Sequence, residues 1–344
     1  MKKIFIIISL TINTSLLLAQ INLTIEGTTV INTEPESWLG VKIERSVPTK
    51  FIYRNNSITS VNTFGYLLQA GDEGVNSQNN NLDGQIITGN KFTWEGTDMT
   101  SITHGVFTGY NKTAILTYNY LHKVPMGLLR KSNGMTDATG GVAYNIVISP
   151  NVGIVVKGIN GVRIYNNTLY SERTSLQTWR PLVHIYENTD IVPAGSATGT
   201  KVYNNIFYTK YQIYNITIDT ACLQGFECDY NIYYCESGTP VFNIGGDSKT
   251  FVQWQALGYD KHSVVVNPNF INTTDLVPAA RLDFGMNLGT EWETGLSVTA
   301  IWIVGVSPAT TNQNGIWQVG ARVYEKDSLN SVCFNYVAPF KFVK

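Results

Sequence analysis

Two lysines of this chain stand at matching positions in a recurring pattern. Lys131 follows Asn119 by twelve residues, and Lys157 follows Asn145 by the same interval. The strand-like segments 127–131 and 153–157 therefore align without gaps, so the two side chains should stack in adjacent turns of the chain. Two ammonium groups about 5 Å apart repel each other, which lowers the proton affinity of at least one of them. Such a lysine could act as a general base or hold an acidic sugar.

Segment 182–186 extends this column with groups that can exchange protons. Val183 and Ile185 fit interior positions, so His184 and Tyr186 point outward, and Asp219 takes the outward position one turn later. One outer column is therefore predicted to contain Lys131, Lys157, Tyr186 and Asp219, with His184 beside it and His104 near it.

These residue types suit β-elimination from a uronic acid. That reaction neutralises the sugar carboxylate, removes the C5 proton and protonates the leaving oxygen. Lys131 and Lys157 would be the base and the carboxylate clamp, and Tyr186 or His184 would be the acid. Further substrate contacts are expected from Arg130, His104, Asp219 and Trp179. Strict strand alternation would turn Arg130 inward, and the whole column could instead be an ordinary solvated face.

The elements that would position this column follow from a repeated asparagine. A β-rich tripeptide, then Asn, any residue and an apolar residue occurs seven times, with asparagines 34, 29, 26, 22, 38 and 26 residues apart. The shortest interval is about one coil of a parallel β-helix, and longer intervals hold loops. Asn tolerates the left-handed backbone of a sharp turn, and its amide can bond to the next coil. The pattern predicts a stacked ladder of Asn56, Asn90, Asn119, Asn145, Asn167, Asn205 and Asn231.

Short apolar alternation dominates the rest of the chain and predicts strands. Only 250–257 resembles a helix, which argues against βαβ units. The predicted fold is a single all-β domain, a right-handed parallel β-helix. Residues 20–50 would form the N-terminal cap and first strands, 51–246 the regular coils, and 247–344 the closing coils and tail. The substrate groove would follow the outer face of coils 119–219, between insertions at 171–181 and 189–200.

Several segments carry a family resemblance. The run 251–263, continuing to Asn267-Pro268-Asn269-Phe270, resembles the helix-and-tail segment that closes many bacterial pectate-lyase-like β-helix proteins. Asp283-Phe284 and 317–321 are similar to the family's C-terminal phrase. The resemblance covers most of the chain and implies the β-helix fold and, for many members, action on polysaccharides. It does not assign an activity.

The resemblance leaves other activities open. A hydrolase would need paired carboxylates, and the polygalacturonase branch has an adjacent Asp pair that this chain lacks. Asn188-Thr189-Asp190 is similar to one motif of that branch, but the remaining motifs are missing, so we set it aside. A calcium-dependent lyase would use clustered acids, for which Asp219, Glu227 and Asp229 are the nearest candidates. An epimerase, or a non-catalytic adhesin-like protein that binds glycans, remains possible on the same scaffold.

The ends and the composition limit location and partners. Lys2 and Lys3, an apolar stretch to Leu18, and Ala19 predict a signal peptide over 1–19, and hence a secreted, surface or periplasmic protein. The net charge is −1 and only 14% of residues are charged, which argues against nucleic acid as a partner. We expect a monomer that binds an acidic polysaccharide, with no membrane span after cleavage and no cofactor unless Ca²⁺ is used.

The four cysteines allow two arrangements. Export permits disulfides, and Cys222, Cys228 and Cys235 lie close enough in the chain for one bridge among them. Buried free thiols are the alternative. The sequence does not assign a partner to Cys333, and no His or Cys spacing fits a zinc site.

Overall fold

A computed structural model describes most of the chain. The described residues are 7–9, 21–32, 39–44, 49–61, 65–71, 84–97, 103–109, 113–137, 139–148, 150–190 and 194–325. Of the predicted signal peptide, only Ile7–Ser9 lies within them. Cys333 lies outside them.

Nearly all regular structure is β, and successive strands are distributed in turn among three sheets. The first sheet contains Ile7–Ser9, Leu39–Glu44, Tyr66–Ala70, His104–Gly109, Met126–Thr136, Val152–Asn160, Val183–Tyr186, Tyr214–Ile218, Val241–Ile244 and Asp247–Thr250. The second contains Ile21–Glu26, Thr49–Arg54, Gln85–Thr88, Ala114–Thr117, Gly141–Ala143, Arg163–Tyr165, Lys201–Tyr203 and Glu227–Asp229. The third contains Thr29–Asn32, Ser57–Ser60, Lys91–Trp94, Tyr120–His122, Ile146–Ile148, Thr168–Ser171, Ile206–Tyr211, Ile232–Ser237 and Val264–Val265.

Every described strand of these sheets pairs in parallel with its neighbours, apart from Asp247–Thr250, which returns antiparallel along Val241–Ile244. Each coil therefore contributes one strand to each sheet, as expected for a parallel β-helix, and the predicted all-β class and parallel repeat are confirmed. Apolar side chains from the three sheets fill the interior, where Leu128, Ile154 and Val183 stack in one column.

The predicted asparagine ladder is present between the second and third sheets. From Asn56 to Asn231, each Nδ2 donates to Oδ1 of the next ladder asparagine at 3.0–3.2 Å. The same oxygen also accepts the backbone N–H of the preceding asparagine. Every ladder side chain is buried. The ladder ends on the buried carboxylate of Asp260, which accepts from Asn231 at 3.0 Å.

One detail of the ladder prediction is wrong. The left-handed residue of each turn is the one before the ladder asparagine, at positions 55, 89, 118, 144, 166, 204 and 230. Three of these are tyrosines, for which a positive φ is uncommon. The ladder asparagines therefore contribute amide hydrogen bonds and do not occupy the left-handed position. The C-terminal tail helps to hold two of the tyrosines. Tyr118 donates to the carbonyl of Thr294 at 2.7 Å, and Tyr144 donates to that of Trp292 at 2.6 Å.

The helix and the tail close the coil. The predicted helix is present as Phe251–Ala256, where Thr250 and Gln253 form a capping box. The following chain includes a small sheet of Thr294–Ser297, Thr310–Asn312 and Arg322–Val323. This tail packs on the outer face of the third sheet, where the rings of Trp302 and Tyr120 lie 4.8 Å apart. The outer face of the first sheet receives no such cover from the described tail.

Two further features complete the architecture. Cys222, Cys228 and Cys235 are buried free thiols, so no disulfide joins the described cysteines. No helix within the described ranges is both long and apolar enough to cross a membrane.

Candidate functional site

The first sheet brings the predicted lysine column together. Lys131 pairs opposite Lys157, and Lys157 pairs opposite Tyr186. Ile185 pairs opposite Ile218, so the next residue, Asp219, continues the column in the following coil. The register predicted from the asparagine spacing is therefore confirmed.

A carboxylate that the sequence analysis set aside lies between the two lysines. Oδ2 of Asp190 is 2.9 Å from Nζ of Lys131 and 2.7 Å from Nζ of Lys157. The lysine side chains are only 11% and 16% exposed, whereas that of Asp190 is 48% exposed. Hydrogen bonding from Lys157 is the main cause that lowers the pKa of Asp190 below its ordinary value.

The loop that carries Asp190 is anchored to the coil beneath it. Asn188 donates its Nδ2 to the carbonyl of Ser132 at 2.6 Å, next to Lys131, and exchanges backbone hydrogen bonds with Gly195. The backbone N–H of Asp190 in turn donates to Oδ1 of Asn188 at 3.2 Å. The shared carboxylate offsets the repulsion between the two ammonium groups, on which the expectation of a lysine base rested.

Aromatic groups occupy the other side of the column. The rings of His184 and Tyr186 are 4.3 Å apart, and Nζ of Lys157 lies 5.4 Å from the centroid of the Tyr186 ring. Burial, followed by the charges of Asp190 and Asp219, raises the pKa of Tyr186 to about 12. Burial, followed by the charge of Lys157, lowers the pKa of His184 to about 4.

These shifts separate the two candidate acids. Near neutral pH the phenol of Tyr186 keeps its proton and can donate it. The imidazole of His184 is neutral, so it can accept a proton but has no imidazolium proton to give. The expectation that His184 could be the acid therefore conflicts with its surroundings.

The strip beside the lysine column is apolar and buried. Phe107, Leu129 and Val155 share one outward register, which continues in the next coil with His184. All three are at most 5% exposed. The polar groups on this part of the outer face are therefore those of the lysine column, where Asp190 is more exposed than either lysine. The groove along coils 119–219 stays a prediction.

His104 does not belong to the lysine column. It pairs opposite Tyr66 and Met126, five positions before Gly109, which pairs opposite Lys131. Its ring stacks on Tyr66 at 5.1 Å, and burial, with the charges of the two site lysines, lowers its pKa to about 3. The predicted placement is wrong because the corners before this strand differ in length between coils.

Arg130 is not available to a substrate. It faces the interior, as strict alternation requires, and its Nη2 lies 2.6 Å from Oδ2 of Asp137. Both side chains are fully buried. The predicted role of Arg130 in substrate binding is therefore wrong, and the pair stabilises the coil from inside.

The other two predicted substrate contacts, Trp179 and Asp219, lie outside the pair of stacked lysines. Trp179 is 51% exposed, and its ring stacks on the Arg180 guanidinium at 4.0 Å. It lies in the loop that precedes strand Val183–Tyr186, at the end of that strand away from the lysines. Asp219 accepts the backbone N–H of Glu187 at 3.3 Å, where the Asp190 loop begins. Their roles in binding stay predictions.

The suggested calcium ligands do not converge. Oε2 of Glu227 accepts from Tyr203 at 2.9 Å, and Oε1 accepts from Lys201 at 3.0 Å. Asp229 lies 2.7 Å from Nδ1 of His262. Both acids belong to the second sheet, whereas Asp219 follows a strand of the first. Across the described ranges, no group of three or more His, Cys, Asp or Glu side chains could hold a metal ion.

Comparison with known proteins adds little. No protein-family model matches the chain, and no curated protein matches it. Among solved structures, a trypsin-treated form of QnrB1, a plasmid-mediated fluoroquinolone resistance protein, aligns at 13% identity over 70% of this chain and 99% of its own, with a TM-score of 0.18. A similarity at that level carries no conclusion about this chain.

Proposed function

We propose that this protein is an exported, right-handed β-helix of the pectate-lyase-like type that cleaves an acidic polysaccharide by β-elimination. The observation that carries the proposal is the pair of stacked lysines whose ammonium groups share one carboxylate oxygen. The substrate would lie along the lysine column of the first sheet, where the carboxylate of Asp190 is half-exposed.

The lysine pair has the geometry of a carboxylate clamp. Lys131 and Lys157 already hold the carboxylate of Asp190 at 2.9 and 2.7 Å. A uronic acid offers the same chemical group, and charge-assisted hydrogen bonds of this kind are among the strong ones in proteins. A sugar carboxylate would replace the half-exposed carboxylate of Asp190 on the two lysines, or bind to them beside it.

Proton transfer is assigned to the aromatic side of the column. Neutralising the sugar carboxylate acidifies the C5 proton, and the unprotonated imidazole of His184 accepts it. The electron pair forms the C4=C5 double bond as the C4–O bond breaks, and the phenol of Tyr186 protonates the leaving oxygen. Both lysines then serve as the clamp, since Asp190 offsets the repulsion that suggested a lysine base.

One observation favours a second function, the binding of a glycan without cleavage. Asp190 engages both ammonium groups at once, which leaves the column as a closed ion-pair cluster. A closed cluster with aromatic neighbours could recognise a sugar surface without reacting with it.

A polysaccharide panel separates these functions. The protein is incubated with acidic and neutral polysaccharides, and products are followed by the ultraviolet absorbance of the new double bond and by a reducing-end assay. Absorbance indicates a lyase, reducing ends without absorbance indicate a hydrolase, and retention without products indicates a binder. An altered uronic acid in an uncleaved chain indicates an epimerase.

The residue assignments are tested with variants on an active substrate. Lys131→Ala, Lys157→Ala and Tyr186→Phe should each lower product formation at least tenfold, since each removes one charge or proton from the transition state. Lys201→Ala is the matched control, because Lys201 also pairs with a carboxylate at 3.0 Å, on the second sheet. Unchanged product formation in the two site-lysine variants would remove their assigned roles.

A further inference from the structure

A cleft of about 360 Å³ lies on the corner between the third and first sheets. Its walls come from four successive coils, at Gly96 and Thr97, Lys123, Pro150 and Asn151, and Glu172 and Arg173. Four coils at the strand spacing of about 4.8 Å span about 14 Å. The cleft is therefore long enough for an extended ligand, and its volume falls in the usual range of ligand sites.

This cleft is separate from the lysine column. Asn151 directly precedes strand Val152–Asn160, whereas Lys157 lies six residues further along the chain. At about 3.3 Å per strand residue, the two positions are about 20 Å apart, toward opposite ends of the strands of the first sheet.

Arg173 lines the cleft, and its guanidinium makes only part of the hydrogen bonds that it could make. Its Nη1 donates to the carbonyl of Asn151 at 2.6 Å. Its Nε and Nη2 are buried and have no hydrogen-bond partner among the described residues. These two N–H groups lie on one edge of the guanidinium, the edge that binds a carboxylate through two parallel hydrogen bonds. Buried unpaired donors of a charged group are costly, which points to a missing acceptor.

The remaining charges of the cleft also favour an anion. Lys123 is exposed on the wall, held at the corner by a left-handed backbone and a hydrogen bond from its N–H to the carbonyl of Ile148. The one acid in the lining, Glu172, already accepts from Tyr170 at 2.8 Å and lies 3.9 Å from Nζ of Lys210. Burial and the charge of Arg180 lower the pKa of Arg173 to about 10, as expected for a cation without a counterion.

The loop that follows Arg173 carries further unsatisfied and exposed groups. Oε1 of Gln177 is buried and unpartnered within the described part of the chain, so an acceptor as well as donors is unsatisfied in this loop. Trp179, in the same loop, presents a half-exposed ring. Neither side chain lines the cleft itself, so only a ligand that extended from the cleft along this loop would meet this acceptor and this ring face in addition to the Arg173 guanidinium.

We propose that the corner cleft is a second binding site, for a carboxylated oligosaccharide, with Arg173 and Lys123 as its anion-binding residues. The site rests on its own residues and does not require cleavage at the lysine column. On a polysaccharide it would hold a segment of the chain away from the column.

The test isolates the cleft by removing the other anion site. Isothermal titration with a trimer of galacturonic acid is done on the Lys131→Gln/Lys157→Gln double variant, with a neutral galactose trimer for comparison. The acidic trimer should bind, more weakly as salt is raised, and the neutral trimer should bind at least tenfold more weakly. Adding Arg173→Gln or Lys123→Gln should lower the affinity about tenfold, the effect of one charge-assisted hydrogen bond.

Lys261→Gln, an exposed lysine outside the cleft, is the matched control and should leave the affinity unchanged. Circular dichroism verifies the fold of each variant, and Lys123→Gln keeps the test valid if Arg173→Gln does not fold. No binding in the double variant, or binding insensitive to both cleft substitutions, overturns the cleft site. If the parent protein forms no product while the double variant still binds the acidic trimer, the result counts against the proposed lyase alone.

Discussion

The asparagine ladder makes a quantitative prediction at Asn145, a fully buried residue in its middle. Its Nδ2 donates to the carbonyls of Leu116 and Ala143 at 2.8 and 3.1 Å, and to Oδ1 of Asn167 at 3.0 Å. Its Oδ1 accepts the backbone N–H and the Nδ2 of Asn119, both at 3.0 Å. The substitution Asn145→Ala removes all of these hydrogen bonds from one corner.

The cost follows from the partners that remain. The backbone N–H of Asn119 loses this acceptor inside the protein, and an orphaned buried donor costs about 1–3 kcal/mol. The Asn145 amide has two N–H groups to share among its three acceptors, and each N–H contributes about 1 kcal/mol. Nδ2 of Asn119 keeps the carbonyl of Ile87 at 2.9 Å and adds little. We expect Asn145→Ala to lower the free energy of unfolding by about 3–5 kcal/mol, a large part of the 5–15 kcal/mol or so of a typical domain.

Urea unfolding followed by circular dichroism and by tryptophan fluorescence measures this difference, and agreement of the two signals shows whether a single transition is being observed. Asn314→Ala is the matched control, because Asn314 is exposed and its amide makes one local hydrogen bond, to the carbonyl of Asn312. That variant should lie within about 0.5 kcal/mol of the parent. A loss below about 1 kcal/mol for Asn145→Ala would show that the ladder amides do not stabilise the coil as argued.

Three further predictions concern the first sheet. Asp190→Asn frees the lysine clamp from its internal carboxylate and should raise the affinity for acidic polysaccharide several-fold in a pull-down titration, with no gain for a neutral one; a loss of affinity contradicts the clamp. The kcat/KM of the proposed elimination should stay flat from about pH 5 to 10, because the pKa of His184 is lowered to about 4 and that of Tyr186 is raised to about 12; an inflection near 6.5, the ordinary histidine value, would assign the base elsewhere. The pKa of His104 is lowered to about 3, below its unfolded value, so the stability from its neutral ring is complete above pH 6.5 and is lost as the pH falls toward 3. His104→Phe, which keeps the stacking on Tyr66, should therefore lose less stability between pH 7 and 4 than the parent in urea unfolding, and equal losses would count against this reasoning.

The parts of the fold that the sequence predicts are those fixed by a vertical repeat. Each ladder asparagine marks the same corner of a coil, so residues at equal distances from two of them become neighbours when the corners between are equally long. Lys131 and Lys157 meet this condition and stack as expected. The inward direction of Arg130 also followed from strand alternation alone.

The failures have two causes, coils of unequal length and a motif that contains two special positions. His104 belongs to a coil whose corner before the first sheet differs from those that follow, so counting from an asparagine placed it in the wrong column. The left-handed residue was assigned one position too late, because the ladder motif contains both a turn residue and an amide donor. Nothing in the local pattern distinguishes them when a tyrosine, such as Tyr144, takes the strained position.

Stacking in the β-helix and the chemistry of its surface are set by different parts of the chain. The repeat places Lys131 over Lys157, but the repulsion between them is offset by Asp190. Asp190 comes from a loop after the next strand and is held in place through Asn188. Arg173 reaches the corner cleft from another such loop. The coils restrict side chains to columns at fixed spacing, because each strand lies only about 4.8 Å from the next. Loops supply the groups that complete each site, so loop exchange between β-helices should change ligand preference while leaving the asparagine ladder intact.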